Sequence, residues 1–362
     1  MSPKIFLALM VLWIVTGFVV LDQRDARAGE IPPTPEYKVL DPIRHGNLTV
    51  FPVVAAKSYP TSEFLTLDEG LRSGEVIVTE AGSVRGLIRR HPTTGIRHDG
   101  AEVNRLVLVN NSKRPLLLLA GEVVSGGKQD RVIGKDRLVP AESDPIDLGV
   151  FCVEPGRWTA TKMTFGSYDG VMAQPAVRAR AMADKNQEQV WSEVRKAQGA
   201  VAGQLSAPMA AAVGAASSYA TVMENDEVRR KLDAVAAPVE RDYASLIKQL
   251  RDRNAVGVVV AVNGEIIWAD VFANTSLLEK YWPKLVRSYA AEAIASQAKS
   301  HDADLKGAQR FIDNLESRRE IVDSEPGLYR HTEMTGDGFK AFELTSLMPK
   351  TGFDLHIAKM AE

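Results

Sequence analysis

The chain has 362 residues, a formal net charge of −2, six histidines and one cysteine. Near-neutral charge without a basic stripe excludes tight nucleic-acid binding, which lives on Lys and Arg neutralising phosphates. A lone cysteine, Cys152, excludes an intramolecular disulfide, a four-cysteine zinc site and a lipidation site beside the N-terminus, so stability must come from a core that a chain of about two domains' length can build.

The N-terminus reads as an export signal. One lysine, Lys4, precedes an apolar run from Ile5 to Leu21, and Ala26 and Ala28 supply the small residues of a signal-peptidase site. The run is long for a signal core and short for a comfortable membrane span, so residues 1–28 serve as a cleaved signal peptide or as an uncleaved anchor. Either way the body is expected in the periplasm or outside the cell, with membrane contact only through that segment. Residues 29–36 follow as a proline-bearing extended arm.

From there the text is β-rich. Leu48–Ala55, Glu75–Thr79, Val103–Val109, Leu116–Val124 and Ile146–Val153 are short apolar runs between turn clusters, which predicts a sandwich or distorted barrel up to about residue 160. The chain then changes character. Val190, Trp191 and Val194 at helical spacing predict a helix over Val177–Ala197. Residues 197–221, rich in Ala, Gly and Ser, predict a loop or weak helix, and a second helix follows from Asp226 to Arg251. Asn263-Gly264 between two β-branched runs is the preferred type I′ hairpin, because both turn residues need positive φ. Both hairpin strands are apolar on both faces, which places them centrally in a covered sheet. The cover is expected to be a helix over Thr275–Ala298, with Leu278, Trp282, Leu285 and Tyr289 on one side and a kink or restart at Pro283. A helix near Leu305–Arg318 and two or three strands, with a turn at Gly336-Asp337-Gly338, finish the chain. The fold class is therefore α+β: a β-rich half, then a hairpin sheet under helices over residues 37–300, with 301–362 packed on it.

Strand parity indicates where chemistry sits. Ile146, Leu148, Val150, Cys152 and Glu154 share one face, as do Leu116, Leu118, Ala120 and Glu122, so each run delivers a glutamate to its own end. If the ends adjoin, Glu122 and Glu154 join Lys128, Gln129, Arg131 and Arg157 in one polar cluster, with Trp158 as a flat wall. Two carboxylates in unlike surroundings suit acid and base catalysis, arginines beside glycine-rich backbone suit anion binding, and a plain salt-bridge network is the bland alternative. Gly121–Gln129 is not a P-loop, because Glu122 stands where glycine is required and Gln129 where a hydroxyl is required. Cys152 reads first, by parity, as a small hydrophobe in the core and second as a nucleophile served by distant histidines. The histidines show no metal-ligand spacing, and no cofactor is implied. Asp270, interrupting an apolar strand, reads first as a structural residue bonded to nearby backbone N–H groups and second as part of a site.

Ala120-Gly121-Glu122 running into Gly126–Arg131, then Cys152-Val153-Glu154-Pro155-Gly156-Arg157-Trp158, the Asn263-Gly264 hairpin with Asp270, and Tyr281–Leu285 resemble the ADP-ribosylglycohydrolase- and rhodanese-phosphatase-associated protein domain family over roughly residues 40–300. The resemblance implies no settled activity, since the family's name records genomic company with ADP-ribose-handling enzymes. It does imply that Glu122, Lys128, Gln129, Arg131, Glu154, Arg157 and Trp158 are the positions to inspect. Three functions follow as expectations: an envelope module gripping a small anionic or sugar-like ligand or a partner protein, a hydrolase of glycosidic or phosphoester bonds, or a structural domain.

Overall fold

A computed structural model describes residues 37–83, 102–159, 162–250, 254–296, 302–314, 317–349 and 351–362. The signal segment and arm lie outside the described residues, as do His91, His98 and His301.

Two β-structures carry the α+β fold. Val76–Glu80, Arg105–Asn110, Glu122–Ser125, Arg131–Ile133, Ile146–Cys152 and Thr164–Met172 close into a six-stranded barrel. A barrel this small has room inside only for side chains, and Val78, Leu106, Leu108, Val124, Leu148 and Phe165 belong to one buried apolar cluster there. Beside it, a nine-stranded antiparallel sheet runs in the order Tyr37–Val39, Leu48–Ala55, Asn254–Val262, Glu265–Phe272, Asp354–Ala361, Phe339–Ser346, Tyr329–Gly336, Ser317–Glu325, with Ile43–His45 paired to Leu48–Ala55. The sheet therefore takes strands from both ends of the chain.

The hairpin is central, flanked by Leu48–Ala55 and Asp354–Ala361. Asn263 and Gly264 have φ of 55° and 80°, as the two-residue turn requires. Alternation sends Val258, Val260 and Trp268 to one face, beneath helix Thr275–Ala295, and Val259, Ala261 and Ala269 to the other, beneath Leu305–Asp313. Covering both faces explains why these strands carry no polar stripe.

Several expectations need correction. Pro283 does not restart the helix: it sits inside one continuous element, Thr275–Ala295, where Trp282 and Leu285 stay buried around it and packing outweighs the roughly 3 kcal/mol propensity cost of a mid-helix proline. The helix expected over Val177–Ala197 is divided: Pro175–Ala179 continues into a π-turn, Lys185 breaks the helix at φ 51°, and Asn186 caps a new helix over Gln187–Ala202. Within residues 197–221 the helical alternative is the one found, as the short helices Ala207–Ala215 and Tyr219–Glu224, whereas Leu305–Asp313 ends before Arg318, which belongs to the first of four C-terminal strands rather than two or three. Finally, Leu116–Val124 is not one strand. Leu116–Leu118 pairs with Arg137–Val139 in a separate three-stranded sheet, the chain turns at Gly121 with φ 96°, and Glu122 opens the next strand.

Candidate functional site

The hairpin loop Gly126–Asp130 lies at one end of the barrel, between Glu122–Ser125 and Arg131–Ile133. It must be glycine-rich, because a Cβ on Gly127 would stand 2.3 Å from the Phe165 ring and one on Gly126 2.6 Å from the Thr164 carbonyl oxygen. The neighbouring strand Ile146–Cys152 pairs Cys152 with Arg131 and so brings Glu154 beside the loop. The Glu154 carboxylate accepts from Asp130 N–H at 3.0 Å and from Arg157 Nε and Nη2 at 2.7 and 2.5 Å. Asp130 accepts from Ser125 Oγ and Ser218 Oγ, both at 2.6 Å, and Arg157 Nη1 donates to the Gly127 and Thr159 carbonyls at 3.1 and 2.8 Å. Bonding to Glu154 raises the Arg157 pKa, so this guanidinium is a permanent charge tying loop to strand end.

Above this frame sits an open surface. Lys128 Nζ lies 4.7 Å from the Trp158 ring centroid. Trp158 is 44% exposed and the nearby Met163 70%. Among the described residues no carboxylate pairs with Lys128, and its ammonium rests against the Trp158 ring face.

Gln129 and Arg131, expected to touch ligand, face inward instead. Gln129 Nε2 donates to the Glu154 carbonyl at 3.1 Å, and Arg131, wholly buried, donates through Nε to the Val103 carbonyl at 2.8 Å. Burial lowers the Arg131 pKa. Gln129 Oε1, Arg131 Nη2 and Glu80 Oε2 are buried with no hydrogen-bond partner among the described residues; Glu80 supports the same loop by accepting from Lys128 N–H at 2.7 Å. Cys152 is core, as parity indicated: burial pushes its thiol up, and Sγ accepts from Glu154 N–H at 3.3 Å.

Glu122 does not join this cluster. It stands at the opposite end of a four-residue strand from Ser125, about 10 Å away at the usual rise per residue. Its partners are the Leu119 N–H at 2.7 Å and the Lys284 ammonium, which also pairs with Asp68 at 2.7 Å and lies over the Tyr281 ring. Burial raises the Glu122 pKa, against the pull of Lys284. The two glutamates share no partner, so the carboxylate pair expected at one rim is not assembled. The parity argument failed because Gly121 turns the chain before Glu122.

Asp270 belongs to a third, fully buried group held by side chains rather than by the local backbone N–H groups expected. Arg178 donates to both its oxygens at 2.9 and 2.8 Å, His356 Nε2 lies 3.1 Å away, and Tyr289 donates its hydroxyl. His356 Nδ1 is 2.6 Å from Asp136, whose other oxygen accepts from Ala120 N–H at 2.7 Å. Although burial opposes it, the flanking carboxylates lift His356 to about 9, and both aspartates are held below the usual carboxylate range. Gly121 makes room for this group, since a Cβ there would meet Arg178 Cγ at 2.6 Å. Arg178, Asp136, His356, Tyr289 and Lys284 were missed as a set; their only sequence signal is a polar residue inside an apolar run.

A separate small cleft of about 50 Å³ is lined by Met172, Tyr219, Met223 and Leu232 together with the charged Arg229, Asp233 and Arg287, none of them a motif residue. Among the described residues no group of three His, Cys, Asp or Glu could hold a metal ion, and no helix is long and apolar enough to cross a membrane. No curated protein and no solved structure is similar enough to the chain to count as a match. The loop Gly126–Arg131, the segment Cys152–Trp158 and the Asp270 group all fall within residues 36–357, which match the family described as ARG and Rhodanese-Phosphatase-superfamily-associated Protein domain, and the chain belongs to that family.

Proposed function

We propose that the protein is an exported binding module of the cell envelope that seats a small anionic, sugar-like ligand on the barrel rim formed by Lys128, Arg157 and Trp158. The observation that carries this reading is the Lys128 ammonium, lying over a half-exposed tryptophan face with no carboxylate to neutralise it among the described residues. A sugar ring stacks on such a face, and a phosphate or carboxylate attached to it completes the charge of Lys128. The frame beneath is pre-organised, because Glu154, Asp130 and Arg157 hold one another and both glycines are fixed by close packing. Binding is favoured over hydrolysis because both candidate carboxylates are already engaged: Glu154 by Arg157 and the Asp130 N–H, Glu122 by Lys284. Export rests on the apolar run Ile5–Leu21 followed by Ala26 and Ala28.

A thermal-shift screen with ribose 5-phosphate, ADP-ribose, glucuronate and inorganic phosphate tests the reading. A ligand at a hundred times its Kd stabilises the folded state by about 2.7 kcal/mol, a readable rise in Tm. Failure of all four to raise Tm, or an equal rise in Trp158→Ala, would count against the rim.

A further inference from the structure

The nine-stranded sheet ends on Ser317–Glu325, and this edge lacks most of the usual protections. Sheet edges are ordinarily blunted by brevity, charged side chains, proline, bulges or covering elements, and of these the strand keeps the charges, at Arg318, Arg319, Glu320, Asp323 and Glu325. This strand is nine residues long, contains no proline, and has every residue from 318 to 324 exposed. Its ladder with Tyr329–Gly336 is regular from Arg319 to Glu325, the one irregularity falling between Ser317 and Arg319. At its centre Ile321 and Val322, on opposite faces, are 44% and 55% exposed. The other end of the sheet, Tyr37–Val39, is three residues long and packs against helix Leu305–Asp313.

The charges along the edge are ordered by sign. Arg318 and Arg319 precede the apolar pair, Asp323 and Glu325 follow it, and Glu320 is engaged by Ser317 Oγ at 2.6 Å. An antiparallel copy of the same strand reverses that order. Arg319 then faces Asp323 of the second chain if Ile321 lies on the two-fold axis, or Glu325 if Val322 does. A parallel copy would set like charges together. Asp323 and Glu325 already pair with Lys135 and Arg137, but their side chains remain 64% and 41% exposed, which leaves room for a second cation.

From this self-complementarity we propose that the protein forms a two-fold symmetric homodimer by antiparallel pairing of the Ser317–Glu325 edges, giving one sheet continuous across both subunits. The interface is isologous, each subunit giving the other its basic half and taking its acidic half. The outer backbone N–H and C=O groups of the strand gain partners, and whichever of Ile321 and Val322 lies on the axis meets its own counterpart across it.

Sedimentation equilibrium of the full chain tests this. The wild type is expected to be dimeric at tens of micromolar. Arg318→Glu/Arg319→Glu and Asp323→Lys/Glu325→Lys are each expected to be monomeric with an unchanged circular dichroism spectrum, and an equimolar mixture of the two is expected to restore a dimer. Should a reversal variant fail to fold, Val322→Lys at the exposed centre of the edge is expected to weaken association at least tenfold. A monomeric wild type, or a dimer that Val322→Lys and both reversals leave intact, overturns the proposal.

Discussion

Replacing Asp270 by Asn should cost more stability than any other single polar change in the molecule. The substitution keeps size and shape but removes the charge that Arg178 grips through both terminal nitrogens and that His356 and Tyr289 also face. Arg178 and Asp270 are both fully buried, so water cannot replace what is lost. Breaking a buried pair by removing one partner costs roughly 3–5 kcal/mol, because the remaining charge is left uncompensated. The value should fall in the upper part of that range, since two cationic groups lose the same counter-charge. Urea unfolding at neutral pH, followed by circular dichroism, measures it directly. The companion variant Arg178→Met/Asp270→Leu removes both charges and should lose much less than Asp270→Asn alone, because the desolvation cost disappears with them. A loss below about 1 kcal/mol in Asp270→Asn, or a double variant at least as unstable, would show that the group is not an ion-paired core.

Two further outcomes follow from the same geometry. His356 is raised to about 9 in the folded protein, so its contribution is full below its ordinary value near 6.5 and is lost as pH rises through 9. The stability difference between wild type and His356→Gln should therefore shrink by about 3 kcal/mol from pH 6 to pH 10, and a difference flat with pH would refute this. Glu122→Gln strands the buried Lys284 ammonium with only Asp68 and should cost on the order of 3 kcal/mol, whereas Glu154→Gln releases a partly exposed Arg157 and should cost about 1 kcal/mol. Equal losses in the two unfolding curves would contradict the separation of the two clusters.

How much of this was legible in the sequence depends on how local its cause is. The Asn263-Gly264 turn fixes its own backbone, and Leu48–Ala55 is bounded as its apolar run suggests. Glu154 and Arg157 are three residues apart and meet through a turn at Gly156, so their contact was readable from spacing. Glu122 was misplaced because strand parity presumes one strand, whereas the strand ends at Leu118 and the chain turns at Gly121 before Glu122 opens the next. The Asp270 group could not be read at all. Asp136 and His356 are separated by 220 residues, and only the closure of the large sheet against the barrel brings them together. What the sequence did mark was one member of the group, Asp270, as an aspartate interrupting an otherwise apolar strand.

The binding rim is tested most directly by titration calorimetry with ribose 5-phosphate on wild type, Lys128→Ala and Trp158→Ala. Both substitutions leave the Glu154–Arg157 frame in place, so folding should be unaffected. Saturable binding by the wild type, weakened at least tenfold in each variant, about 1.4 kcal/mol or more apiece, is the expected result. Absence of binding to the wild type, or affinities indistinguishable among the three proteins, would place the ligand elsewhere.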